Sequence, residues 1–422
     1  MSGSPSSPLY CESMPITRRS CEGLPLTRRG LLGAGVSFFA WTHMPKLASA
    51  AGTRDPRFLT VILRGAMDGL SAVAPVGDPD YVALRAGIAL GKDGENAGIG
   101  LDGFFVLHPM MKNFARLYRE KQALVIHAAA SPYRERSHFD GQDVLESGLP
   151  GVGKADSGWL NRALMALPKG DRIATKGGLG VGTVTPLVLR GEAPVMGWAP
   201  QRLIETNDDL ARRVMDLYTH TDPALARALK AGLTADSLAK GGAQMPQGGG
   251  DPGMMARAAA GAARLMMKDE GPRIAVLSFD GWDTHANQGG VKGRLADLLG
   301  GLDGAFATFE KEFGAAWKET AILVVTEFGR TAKINGTEGS DHGTATVAIL
   351  VGGAVNGGRI IADWPGLKAN QLHEARDLRP TTDLRGIIKG VLASQLGLSA
   401  ATLGDKVFPG SGMVKPVEGL MT

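Results

Sequence analysis

Cysteine is almost absent. The chain has 422 residues and two cysteines, Cys11 and Cys21, both upstream of a small-x-small motif at Ala48-Ser49-Ala50. A chain cut after that motif has no thiol, which excludes disulfides, thiolate metal ligands and a cysteine nucleophile. Aromatic residues make up only 6%, and no basic stripe runs among them, so a nucleic-acid partner is not expected. Apolar runs are short as well. None after residue 50 approaches the roughly 18–20 residues needed to cross a bilayer, so no stable membrane span is expected in the mature form. Neither sign of charge is in excess: the formal net charge is +4, and removing residues 1–50 leaves 41 basic against 40 acidic residues.

What the N-terminus does have is Thr27-Arg28-Arg29-Gly30-Leu31-Leu32, a modest apolar stretch to Trp41, and the Ala48-Ser49-Ala50 site. A paired arginine, a short apolar segment and a small-residue cleavage site are the parts of an export signal of the twin-arginine type. Residues 1–50 are therefore expected to be a signal peptide that is removed. The export machinery of that route would be a partner, and the destination would be periplasmic or extracellular. The route carries folded proteins, often with a cofactor in place. A second pair, Arg18-Arg19, is followed by a polar stretch containing proline and reads as upstream sequence, with Met14 an alternative start.

Residues 51–422 read as one α/β domain. Strands are expected at 57–63, 123–127, within 176–190, and at 273–279, 321–326 and 346–351, each short, apolar and β-branched. Helices are expected at 109–120, 207–218, 223–239, 255–268, 291–317 and 382–396. The segment 240–253, with its Gly-Gly-Gly run, is expected to be a flexible insertion near 240–254. Strands alternating with helices predict a mainly parallel central sheet flanked by helices on both faces. Ligands in such sheets sit beyond the carboxyl ends of the strands.

Polar residues crowd at those ends. Asp68 follows the first strand, and Ser137 and His138 follow the second. Asp280, Asp283 and His285 follow the strand ending at Phe279, Glu327 and Arg330 follow the strand ending at Thr326, and Asp341 and His342 precede another. Asp68, Asp280, Asp283, His285, Glu327, Asp341 and His342 are candidate ligands for a divalent metal such as zinc, manganese or calcium. Ser137 is a candidate nucleophile if it opens a helix. His138 is a candidate base, ligand or structural hydrogen-bonder. Arg330, Arg134 and Arg64 are candidate anion clamps. Each has a plain alternative: Asp68 and Asp341 as turn residues, Asp280 as a cap, Glu327 as an Arg330 partner. His108, His127, His220 and His373 are expected to be packing or surface residues.

The chain resembles an exported bacterial family catalogued as domain-of-unknown-function family 1501. The resemblance rests on Leu63-Arg64-Gly65 with Asp68-Gly69-Leu70, Ser131-Pro132-Tyr133-Arg134 with Arg136-Ser137-His138-Phe139-Asp140, and Gly158-Trp159-Leu160-Asn161-Arg162. It continues in Phe279-Asp280-Gly281-Trp282-Asp283-Thr284-His285, Thr326-Glu327-Phe328-Gly329-Arg330-Thr331 and Asp341-His342-Gly343. It implies a fold like the alkaline phosphatase and sulfatase superfamily, with two divalent metals at the strand ends. By that likeness Asp68, Asp280 with His285, and His342 match metal-binding positions, and Asp283 is a substitute for one of them. Glu327-Phe328 stands where the superfamily has an Asp-His pair, and phenylalanine cannot ligate, so one of the two sites is expected to be weakened or lost. The sulfatase nucleophile position, two residues before Pro132-x-Arg134, is Ala130. The expected function is metal-dependent hydrolysis of a small anionic ester, phosphate or sulfate. The alternative is a non-catalytic exported binding or assembly protein with a degenerate site, and a third reading is a metal-dependent isomerase or mutase.

Overall fold

Seven consecutive residues, Arg57–Leu63, form a strand in which every side chain is buried. That is the pattern of a central strand covered on both faces. This is seen in a computed structural model, which describes residues 54–422 apart from 169–170, 201–213, 216, 220–221 and 241–251. The expected signal peptide, most of the expected helix at 207–218, His220 and nearly all of the expected Gly-rich insertion lie outside the described residues. Residues 55–422 form one compact unit.

The strands in chain order are β1 (Arg57–Leu63), β2 (Val73–Ala74), β3 (Ile99–Gly100), β4 (Val106–Leu107), β5 (Ala123–Ala130) and β6 (Gly178–Val181). They continue with β7 (Val195–Trp198), β8 (Ile274–Phe279), β9 (Thr320–Val325), β10 (Thr346–Val351), β11 (Arg359–Ile361) and β12 (Thr382–Asp383). The main sheet runs β11-β5-β10-β9-β1-β8-β6-β7, with β12 also on β5, and β2, β4 and β3 form a small separate sheet. Only β10 is reversed: it pairs antiparallel with both β5 and β9, whereas β1 pairs parallel with β8 and β9. The reason lies in the connection. No helix crosses the sheet between β9 and β10, so the chain turns back at the carboxyl edge through a polar loop.

Side-chain alternation along β1 builds two cores. Leu59, Val61 and Leu63 pack with residues of the helices Lys112–Arg119, Pro252–Met266 and Arg294–Phe313. Phe58 and Ile62 pack with residues of Trp159–Ala166 and Leu384–Leu396 on the other face. The expected sheet sandwiched between helices is thus what the chain forms. Several boundaries shift by a few residues, and two of the shifts have a clear physical cause. β5 runs on to Ala130 because the imidazole of His127 bridges a break in its ladder: Nδ1 accepts from the Ala128 N–H (2.9 Å) and Nε2 meets the Val73 carbonyl (3.0 Å). Ala128 takes φ +52° there. Burial lowers His127 to a pKa of about 4, so this packing histidine stays neutral. The last helix starts two residues late, because Thr382 and Asp383 pair with β5 and Asp383 caps the helix.

Just past β1, Asp68 is fully buried and caps the one-turn helix Gly69–Ala72. Its two oxygens take the Arg85 guanidinium in a fork (2.6 and 2.9 Å) and also accept from Gln288 (2.6 Å) and Ser71 (3.0 Å). Burial by itself would raise the Asp68 pKa, but the charge and hydrogen bonds of Arg85 leave it below the ordinary carboxylate value. A carboxylate so depressed stabilises the fold above its unfolded pKa of about 4, and that contribution is lost as pH falls through the lower folded value. Replacing Asp68 by Asn strands the Arg85 charge and is expected to cost about 3–5 kcal/mol at pH 7. Urea unfolding from pH 7 to pH 3 should then show a shallower acid slope for Asp68→Asn than for the wild type. Equal stability and parallel slopes would contradict this role.

Candidate metal centre

Because β1, β5, β8 and β9 run parallel and β10 is reversed, the chain leaves β1, β5, β8 and β9, and enters β10, at one edge of the sheet. Among the described residues, one group of side chains converges closely enough to hold a metal ion: His138, Asp283 and His342. His285 adjoins it, with Nε2 3.1 Å from Asp283 Oδ1 and 2.9 Å from His342 Nε2. His342 Nε2 lies 3.5 Å from Asp283 Oδ1, and His138 Nε2 lies 3.5 Å from Asp283 Oδ2.

Each imidazole is held by its other nitrogen. His138 Nδ1 meets Glu327 Oε1 at 2.7 Å, His285 Nδ1 meets Asp341 Oδ1 at 3.1 Å, and His342 Nδ1 meets the Arg136 carbonyl at 2.8 Å. Carboxylates and carbonyls only accept, so these partners place a proton on every Nδ1 and leave a lone pair on every neutral Nε2. Metal-binding histidines are oriented in this way. Two consequences test the fit to a cation. If both rings are neutral, the Nε2 lone pairs of His285 and His342 face each other at 2.9 Å. His138 Nε2 is buried without a hydrogen-bond partner. Acidic side chains also gather here: Asp283 is paired with Arg330, and Glu327 and Asp341 each meet an imidazole. The residues fit a divalent cation.

The surroundings tune the group. The hydrogen bond to Glu327 raises His138 above the ordinary imidazole value, whereas burial lowers His342. Glu327 is buried, which alone would raise it, but the bond from His138 and those from the Gly65 N–H (2.8 Å) and Thr326 (2.9 Å) hold it low. Burial would likewise raise Asp283, and the Arg330 hydrogen bond and charge bring it down. Phe328 stacks on His138 at 5.0 Å and packs on His342 at 5.3 Å, so the residue that cannot ligate walls the centre instead. On the open side, Asp283 and His285 keep side-chain exposures of 42% and 44%, enough for a small molecule to reach them.

Several sequence expectations are redirected by this geometry. Asp68 is taken up by Arg85, Gln288 and Ser71 and lies outside the group. Asp280 is exposed and also stays outside, because Gly281 at φ +102° turns the chain so that Asp283 is the residue brought in. Glu327 and Asp341 join the centre through His138 and His285, as their anchors. Arg330 is no free anion clamp: its N–H groups donate to the carbonyls of Ala66, Gly65, Ser340 and Trp282 and to Asp283. Arg64 is paired with Glu146 (2.6 Å), and Arg134 donates to the carbonyls of Ser131 and Tyr133. Ser137 opens the helix His138–Ser147, the condition on which its candidacy as nucleophile depended, accepting from the Asp140 N–H at 3.5 Å. Sequence reasoning missed the Arg136 carbonyl, since a backbone acceptor has no residue type to recognise. It also missed Asn335, which donates to Asp341 (3.0 Å) and the His285 carbonyl (2.8 Å).

Gly65 lets the loops meet. It sits at φ +115°, and a Cβ there would fall 2.5 Å from the Asp283 nitrogen. Gly65→Ala is therefore expected to push the 281–283 turn off the β1 loop, costing about 1–3 kcal/mol by denaturant titration. The His138–Asp283 approach should open in its structure. An unshifted midpoint and an unmoved turn would count against this.

No curated protein matches the chain. Solved structures overlay on it in part. They include a phosphonate monoester hydrolase of Agrobacterium radiobacter, at 11% identity and a TM-score of 0.37 over 82% of this chain and 74% of that one. A protein in the alkaline phosphatase superfamily from Vibrio parahaemolyticus gives 11% identity and 0.40 over 87% and 71%. The PsFucS1 sulfatase from a Pseudoalteromonas species gives 13% identity and 0.32 over 77% and 67%. The family model described as "Protein of unknown function (DUF1501)" matches residues 119–407, from the end of the helix before β5 to the end of the helical segment before Phe408, and the chain belongs to that family.

Proposed function

We propose that this chain is an exported, metal-dependent hydrolase of small phosphate or sulfate esters, with a divalent ion held by His138, Asp283, His285 and His342. The observation that carries the reading is the meeting of the His285 and His342 Nε2 atoms at 2.9 Å, each with its Nδ1 already engaged. Nitrogen-rich donors with one carboxylate suit zinc or manganese, and suit calcium poorly, because calcium takes six to eight oxygens. Such an ion, when bound, polarises an ester oxygen and lowers the pKa of a coordinated water.

The chain's own residues supply the frame. Glu327, Asp341 and the Arg136 carbonyl fix three imidazoles, and Arg330 fixes Asp283. Phe328 keeps water from the buried side of His138 and His342. Because Arg64, Arg134 and Arg330 are engaged within the protein, an anionic substrate would find its positive partner in the bound cation. Ser137 is the group assigned to attack. Its hydroxyl accepts from the Asp140 N–H at 3.5 Å, and the N-terminus of the ten-residue helix behind it favours negative charge. Residues 28–50 have the parts of a twin-arginine signal, which supports export by that machinery. No helix among the described residues is long and apolar enough to cross a membrane.

A non-catalytic binding or assembly role is the second reading, favoured by Phe328 in place of a ligand and by the capping role of Ser137. Elemental analysis of purified residues 51–422, with assays on generic phospho- and sulfo-esters in zinc, manganese and calcium, separates the two. The hydrolase reading expects about one ion per chain, turnover abolished by chelator and restored by one of these metals, and an empty site in His342→Ala. No metal and no turnover under any ion would reject it. With activity in hand, Ser137→Ala is expected to lower kcat by about a thousand-fold or more. An unchanged kcat would transfer attack from Ser137 to water.

A further inference from the structure

His342 is anchored to a carbonyl, and that carbonyl belongs to a residue in an unfavourable conformation. Arg136 has φ +64°, a left-handed backbone that costs a side-chain-bearing residue about 1–2 kcal/mol. It is kept there by its own side chain. Arg136 Nε donates to Asp377 Oδ2 at 2.8 Å, and its Nη2 pairs with Glu374. Asp377 is completely buried and also accepts from Thr344 Oγ1 at 2.8 Å, two residues beyond His342. Its neighbour Arg376 donates to the His342 carbonyl at 2.8 Å. The segment 373–377, which no motif of the sequence singles out, therefore grips His342 from both sides. One grip acts through the Arg136 carbonyl on the ring, the other through Arg376 on the backbone.

We propose that Asp377 is a positioning residue for the metal centre. By holding the Arg136 guanidinium it keeps the Arg136 carbonyl aimed at His342 Nδ1, and so keeps the His342 Nε2 lone pair aimed at the cation. The idea rests on the metal reading above. Glu374, with 60% of its side chain exposed, is the weaker half of the clamp, and Asp377 is the fixed half. Loosening an anchor behind a metal-bound histidine lowers metal affinity about 10–100-fold, and that is the effect expected of Asp377→Asn.

Zinc affinity of residues 51–422, measured by chelator competition, tests this, alongside the unfolding midpoint of the metal-stripped protein and the His342 Nδ1–H resonance. Asp377→Asn is expected to weaken zinc binding about 10–100-fold and to speed exchange of that proton. A second variant guards against simple misfolding. Arg136→Gly keeps the carbonyl and removes the left-handed strain together with the guanidinium. It should weaken zinc binding by a similar factor under conditions where the apo protein is still folded, with an apo midpoint lowered because buried Asp377 loses its partner. The double variant should lose no more than either single one, because both break the same link. Zinc affinity unchanged in both single variants, or losses that multiply in the double variant, would overturn the positioning role. A wild type that binds no zinc would instead overturn the metal reading beneath it.

Discussion

Three imidazoles and a carboxylate from separate loops meet at one edge of the sheet, and the rest of the site follows from how they are held there. His138, His285 and His342 come from three loops, and each is turned by an acceptor at Nδ1: Glu327, Asp341 and the Arg136 carbonyl. Asp283 sits among them with its charge partly met by buried Arg330. A protein could relieve such a cluster by rotating one ring. Here each ring has a polar anchor, and Phe328 fills the space beside two of them.

The fold makes the convergence possible. A sheet whose β1, β5, β8 and β9 run in one direction collects their exits at one edge, and the reversed β10 adds its entrance to them. The loops are then bound to each other through buried polar groups more than through apolar contact. Arg330 joins the β1 loop, the 282–283 turn and the 340–342 turn through four carbonyls and a carboxylate. The Asp68–Arg85 pair does similar work, reaching Gln288 and Ser71. Buried charges of this kind add little stability over apolar packing, but removing one partner strands the other. The loop arrangement is thus all or nothing.

Much of the sheet was legible in the sequence, because strands buried on both faces are short apolar runs and the helices between them have apolar faces. β5 and the last helix were misjudged at their ends, where a histidine side chain and a cap, not periodicity, decide. The site was legible as a set of polar loops but not as a set of roles. Asp68 holds the place of a ligand after the first strand, yet its partner Arg85 lies seventeen residues on with no motif to announce it. Asp280 and Asp283 are chemically equal on paper, and a single glycine turn chooses between them. Glu327 and Asp341, expected as ligands, are hydrogen-bonded to His138 and His285, and a carboxylate that grips a metal and one that grips a histidine look alike in a sequence. Backbone acceptors such as the Arg136 carbonyl leave no trace in residue type at all.

The central claim is that the three Nε2 atoms and the Asp283 carboxylate share one cation. X-ray diffraction from crystals soaked in zinc, recorded on both sides of the zinc absorption edge, examines it directly. The account expects an anomalous peak bounded by His138, His285, His342 and Asp283, with nitrogens at about 2.0–2.1 Å. Zinc peaks only elsewhere on the surface, with these four side chains undisturbed and bare, would contradict it.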